Sequence, residues 1–132
     1  MYLFLGLVFA LIFTGCQTSQ QMSLLPIVKD GVTPANIYLL RPHIVFGDGV
    51  GTSLYLDGQL IAQLGAGDYL VFTVNPGEHM VASKIGDAGL HSQKLGFKSG
   101  QDYYFIARRT IEPLSTHEGV KIKQQLKEVL LN

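Results

Sequence analysis

The side chains of this sequence that could do chemistry are four histidines, a scatter of aspartates and one cysteine. The histidines are His43, His79, His91 and His117. No two of them stand at His-x-His or His-x-x-x-His spacing, the patterns that put two imidazoles on one face of a strand or helix for a metal ion. A metal site would have to be gathered from scattered His and Asp. For nucleophilic catalysis the chain has no Gly-x-Ser-x-Gly. Paired carboxylates for glycoside cleavage could be any two of Asp48, Asp57, Asp68, Asp87 and Asp102. Yet Asp57, Asp68 and Asp87 sit beside a glycine and Asp102 lies two residues after Gly100, places where Asp is favoured for turn geometry alone. His79, in Pro76-Gly77-Glu78-His79 at a strand start, reads as a half-buried imidazole hydrogen-bonded to turn backbone. Residues 43–51 hold three glycines, but a strand follows them rather than the helix a phosphate loop needs. Arg108 and Arg109 are neighbours on a strand, so their side chains leave opposite faces and form no clamp. No residue is assigned a catalytic, metal-binding or cofactor-binding role, and the chain reads as a non-enzyme.

The cysteine carries more. No charge occurs before Lys29, and Met1–Phe13 is a continuous apolar run. That run is shorter than the ~20 residues a helix needs to cross a bilayer, and it has the length of a secretory signal. It ends in Phe13-Thr14-Gly15-Cys16, which resembles the lipobox of bacterial lipoproteins. The resemblance implies a signal peptide over 1–15, cleavage before Cys16 and acylation of the Cys16 thiol. A lone cysteine can form no intramolecular disulfide, and acylation removes a thiol that an oxidising envelope would otherwise attack. One acyl chain binds a bilayer marginally; two or more hold it. Gln17 rather than Asp after the cysteine, again by resemblance, favours the outer membrane, with the domain facing the periplasm. The membrane is thus one partner, reached through lipid on Cys16.

The elements that must position these residues are strands. The chain has 132 residues, the size of one domain. Its net charge is zero, which leaves no electrostatic footprint for nucleic acid. Residues 16–31 begin as a polar Gln/Ser/Thr stretch and read as a tether from the lipidated cysteine; Leu24–Val28 could pack on the domain. Ala35–Arg41 is the first strand, ended by Pro42 and covered on both faces. Thr52–Ile85 carries three turn signals, Asp57-Gly58, Gly65-Ala66-Gly67 and Asn75-Pro76-Gly77, and reads as a β-meander. Leu70, Phe72 and Val74 make one apolar face there. Strands over 92–97 and 101–111 follow, and about seven strands at this spacing make two packed sheets. The expected core includes Leu70, Phe72, Val74, Val81 and Phe105.

The run NIYLLRP, then LYLDGQLIAQL, GDYLVFTVNPGEH and GQDYYF, resembles domain of unknown function 2846, found in bacterial envelope lipoproteins. The resemblance spans Ala35 to Ile111. It implies a prealbumin-like antiparallel β-sandwich and a lipid anchor, and it brings no catalytic residues. At the C-terminus the period changes. Ile122, Leu126, Val129 and Leu130 form one helical stripe, and Ser115 with Glu118 has capping-box spacing. The reading is mainly β: a sandwich over 32–114 and an amphipathic helix over 115–132, running from Thr116 to Leu130, whose stripe lies on the sandwich or on a partner. Two functions stay open. The first is a lipid-tethered binding or structural module with an envelope protein or glycan as partner; the second is a small periplasmic hydrolase using loop Asp and His.

Overall fold

The computed structural model describes residues 20–21, 26–43 and 50–129. In chain order the elements are β1 (Gln20–Gln21), β2 (Ala35–Arg41), β3 (Thr52–Leu56), β4 (Gln59–Leu64), β5 (Asp68–Val74), β6 (Gly77–Ile85), β7 (His91–Phe97), β8 (Asp102–Ala107), β9 (Ile111–Leu114), α1 (Thr116–Lys123) and β10 (Lys127–Glu128). The strands form two sheets, ordered β1-β4-β3-β6-β7 and β10-β5-β2-β8-β9. Most pairs are antiparallel; β2 with β8 and β5 with β10 run parallel. This is a small β-sandwich with one short C-terminal helix.

The apolar alternation expected for β5 holds. Leu70, Phe72 and Val74 are buried, as are Val81 and Phe105, and all five belong to one core cluster between the sheets. Aromatic edges close one part of it: Phe97 meets Tyr103 at 5.0 Å and Phe105 at 6.1 Å, both near-perpendicular. Ala35–Arg41 is the strand expected and is internal, between β5 and β8.

The meander is corrected. Asp57-Gly58 does turn a hairpin, with φ of 49° and 83°, the left-handed pair that a two-residue hairpin turn requires. The other two turn signals are not hairpins: Gly65-Ala66-Gly67 carries the chain to the second sheet and Asn75-Pro76-Gly77 carries it back. The physical reason is burial. The Leu70/Phe72/Val74 face needs an apolar face opposite it, and Leu54, Leu56 and Val81 on the other sheet supply one. A register shift between Leu54 and Tyr55 leaves Ile61 without a β3 partner, so Ile61 and Ala62 are both buried.

Three further expectations change. The strand over 101–111 is two strands, β8 and β9, joined by a bend at Arg108–Thr110 in which both arginines are exposed. The helix ends at Lys123 instead of Leu130. Ser115 caps it as expected, accepting from the Glu118 amide, but its last turn tightens through Gln125 N–H to Ile122 O and Leu126 N–H to Lys123 O. Lys127 and Val129 then donate to Gly67 O and Tyr69 O along the open edge of β5. That edge offers backbone acceptors and a place for Val129 against the core, which another helical turn would forfeit; Leu130 lies outside the described residues. In the tether, Gln20 and Gln21 pair with Gln63 and Ala62. Of Leu24–Val28, Ile27 is 84% exposed and residues 24–25 lie outside the described set.

The outer face of the second sheet is where the helix rests. Gly119 is its one buried residue, set against the ring of Tyr104 with no room for a Cβ. Lys123 places its ammonium 5.1 Å from the Tyr38 ring and 5.9 Å from Tyr69, and Tyr38 stacks on Tyr104 at 4.4 Å.

Candidate functional site

Cys16 and Asp48 lie outside the described residues. Among the described residues no group of three or more His, Cys, Asp or Glu could hold a metal ion. His117 is exposed in the first turn of α1. His43 lies against the backbone at Gly67. His91 lines a cavity of about 430 Å³ between the edge strands β7 and β9, with Leu90, Ser92, Gln93, Thr110 and Ile111. Gln93 Nε2 donates to Ile111 O, and Ser83 Oγ donates to Arg109 O at 2.9 Å, so both bonds tie the two sheets together there. The candidate carboxylates divide between the ends of the sandwich. Asp57 and Asp102 lie at the end where β2 begins, and Asp68 and Asp87 at the end where it finishes. Asp102 is engaged by Asn36 Nδ2 at 2.8 Å, and Asp68 is the register partner of Arg41.

His79 and Asp57 are drawn together. Strands β3 and β6 are antiparallel neighbours with Leu56 opposite Val81, which brings the β3–β4 turn beside the start of β6. Asp57 and Met80 exchange backbone contact there, Asp57 N–H donating to Met80 O at 2.8 Å. The Asp57 carboxylate accepts the Met80 amide at 2.9 Å on one oxygen and meets His79 Nδ1 at 2.6 Å on the other. His79 Nε2 lies 2.7 Å from Asn75 O, and Phe97 packs on the ring at 5.9 Å. His79 is thus the half-buried, turn-bonded imidazole expected, with a carboxylate added.

Both ring nitrogens face acceptors, a carboxylate and a carbonyl. Only the imidazolium can donate to both. Burial pulls the His79 pKa down, but the Asp57 bond, the Asn75 bond and the Asp57 charge outweigh it, and the net shift is upward. Burial likewise pushes Asp57 up, yet the His79 bond, the Met80 amide and the His79 charge bring it below its ordinary value. The pair superficially resembles a catalytic Asp–His couple, but the nitrogen a base would turn toward substrate is spent on Asn75 O.

A protein-family model described as Protein of unknown function (DUF2846) matches residues 32–120. The chain belongs to the DUF2846 family. No curated protein matches it. The DUF2846 match runs from before β2 into α1 and takes in Arg41, Asp57, Asn75, His79 and the β7–β9 cavity. Cys16 and the tether precede it.

Two DUF2846 side chains escaped sequence reasoning. Arg41 is 2% exposed; it shares the inward parity of Ile37 and Leu39, and its Nη1 donates to Leu64 O on the opposite sheet at 2.8 Å. In the sequence it is only the last strand residue before Pro42, and the parity of β2 alone hints at its burial. Asn75 was legible as a turn residue alone. Its side chain also grips the N-terminal segment, accepting the Lys29 amide at 2.9 Å and donating to Ile27 O at 3.2 Å.

Proposed function

We propose that this DUF2846 chain is a membrane-anchored envelope lipoprotein and a non-catalytic binding or structural module. Cys16 carries the lipid, the outer membrane holds it, and the sandwich faces the periplasm. The N-terminal reading supports the anchor: an apolar run, Thr14-Gly15 and a lone cysteine. The observation that carries the non-catalytic reading is the saturation of His79, whose two nitrogens are both committed within the fold. A general base needs one nitrogen free to reach the proton it abstracts. The partner is an envelope protein or glycan, and the cavity between β7 and β9 offers it a lining that includes Ser92, Thr110 and Leu90, the last 54% exposed.

The second reading, a small periplasmic hydrolase, requires more than loss of the Asn75 O contact: His79 must also turn Nε2 toward substrate. A panel of glycan, peptide and ester substrates separates the two. The full chain should show no turnover that distinguishes it from a folded His79→Gln variant. Turnover by the native chain that His79→Gln or Asp57→Asn abolishes while the fold survives would establish the hydrolase instead.

A further inference from the structure

The His79 cluster continues beyond Asp57. A line of hydrogen bonds runs from the β3–β4 turn through Asp57 to His79, from His79 Nε2 to the backbone of Asn75, and from the Asn75 side chain to Ile27 and Lys29. The segment at its far end is weakly buried: Ile27 is 84% exposed and Lys29 is exposed, with Pro26 and Val28 half-buried. Farther along, Thr33 O and Pro34 O are held separately by Ser99 Oγ and the Gly100 amide. Polar contacts with Asn75 therefore fix residues 27–29 on the domain.

We propose that His79 is a proton-operated latch, which holds residues 27–29 against the Asn75 turn when it is protonated and releases them when it is neutral. A neutral imidazole keeps one proton. The bond to the ionised Asp57 is the stronger, being charge-assisted, so the proton stays on Nδ1. Nε2 then turns a lone pair on Asn75 O, and two acceptors at 2.7 Å repel. The turn must shift, and its side chain carries the grip on Ile27 and Lys29 with it.

The groups around the ring leave this titration to His79 and Asp57. Asp57 faces it from the β3–β4 turn. From β7 come Leu95, its register partner, and Phe97, both uncharged, with Tyr103 of β8 behind Phe97. Glu78, the neighbour on β6, leaves the opposite face and lies 3.8 Å from Lys94 of β7. Lys29 contributes its backbone amide, and its side chain is exposed. The latch goes beyond the proposed function, because it is built from the domain's own residues and stands whether or not Cys16 is acylated.

The test is NMR on the full chain between about pH 5 and 9. One series follows the His79 ring resonances, the other the exchange of the Lys29 amide, corrected for intrinsic rate. Lys29 protection should fall roughly five- to ten-fold, the scale of one hydrogen bond, with the midpoint at which His79 deprotonates, while the Ile37 amide in the central strand stays unchanged. In Asn75→Ala, Lys29 should be unprotected at every pH although His79 still titrates. In His79→Gln, Lys29 protection should lose its pH dependence. Lys29 protection that stays constant while His79 titrates would overturn the latch, and so would full protection in Asn75→Ala. If His79→Gln fails to fold, the native titration and Asn75→Ala still decide.

Discussion

Gly119 of the C-terminal helix rests on the Tyr104 ring so closely that a methyl group at its Cα could not be accommodated. Tyr104 lies on β8, between β2 and β9, and is stacked on Tyr38 at 4.4 Å. Gly119→Ala should therefore destabilise the domain by about 1–3 kcal/mol, the range for overpacking, although alanine is the better helix former by about 1 kcal/mol. Denaturant unfolding measures it. A stabilised Gly119→Ala would mean that the helix floats off the sheet.

Phe72 is 5% exposed in the centre of the core. Phe72→Ala should cost roughly 3–5 kcal/mol, read as a lowered urea midpoint at constant slope. An unchanged midpoint would place the wrong face of β5 inside.

Arg41 spans the sheets through Leu64 O. In Arg41→Ala that buried carbonyl loses its donor, at about 1–3 kcal/mol, before any loss from the cavity. Arg41→Lys should recover only part, since an ammonium on a different stem does not reproduce a planar donor. Thermal unfolding of the three proteins should rank them native, Lys, Ala; equal midpoints for native and Ala would remove Arg41 as a tie.

The His79–Asp57 pair sets a pH window for stability. The folded His79 pKa is raised, so its contribution is complete below the unfolded value of about 6.5 and is lost as pH rises through the folded value. The folded Asp57 pKa is lowered, so its contribution is present above the unfolded value of about 3.9 and is lost as pH falls through the folded value. The pair stabilises most between the two. Both His79→Gln and Asp57→Asn should flatten the native stability profile across that window, as read from unfolding at a series of pH values; a native profile matched by both variants would contradict the pairing. The gain is modest, because the Asp57 carboxylate is 51% exposed and solvent screens it.

How much of this could be read from the chain depends on range. Alternation in β5 named Leu70, Phe72 and Val74 as core because side-chain direction in a strand is a local property. Ser115 and Glu118 gave the helix start for the same reason. The helix end did not follow from its stripe, because the open edge of β5, some 60 residues earlier in the chain, competes for Lys127–Val129. Nor do turn residues say whether the next strand pairs with the last or crosses to another sheet; Gly65–Gly67 and Asn75–Gly77 look like hairpin turns and are crossovers. The candidate site is legible residue by residue, Asp57 as a turn and His79 as a turn-bonded imidazole. Their pairing depends on β3 lying beside β6, a tertiary fact absent from either motif.

The proposed membrane anchor rests on what happens at Cys16. The most direct measurement is the intact mass of the protein extracted from membranes. The expected species begins at Cys16 and carries acyl groups. A species that retains Met1–Gly15 with no acyl adduct would contradict it.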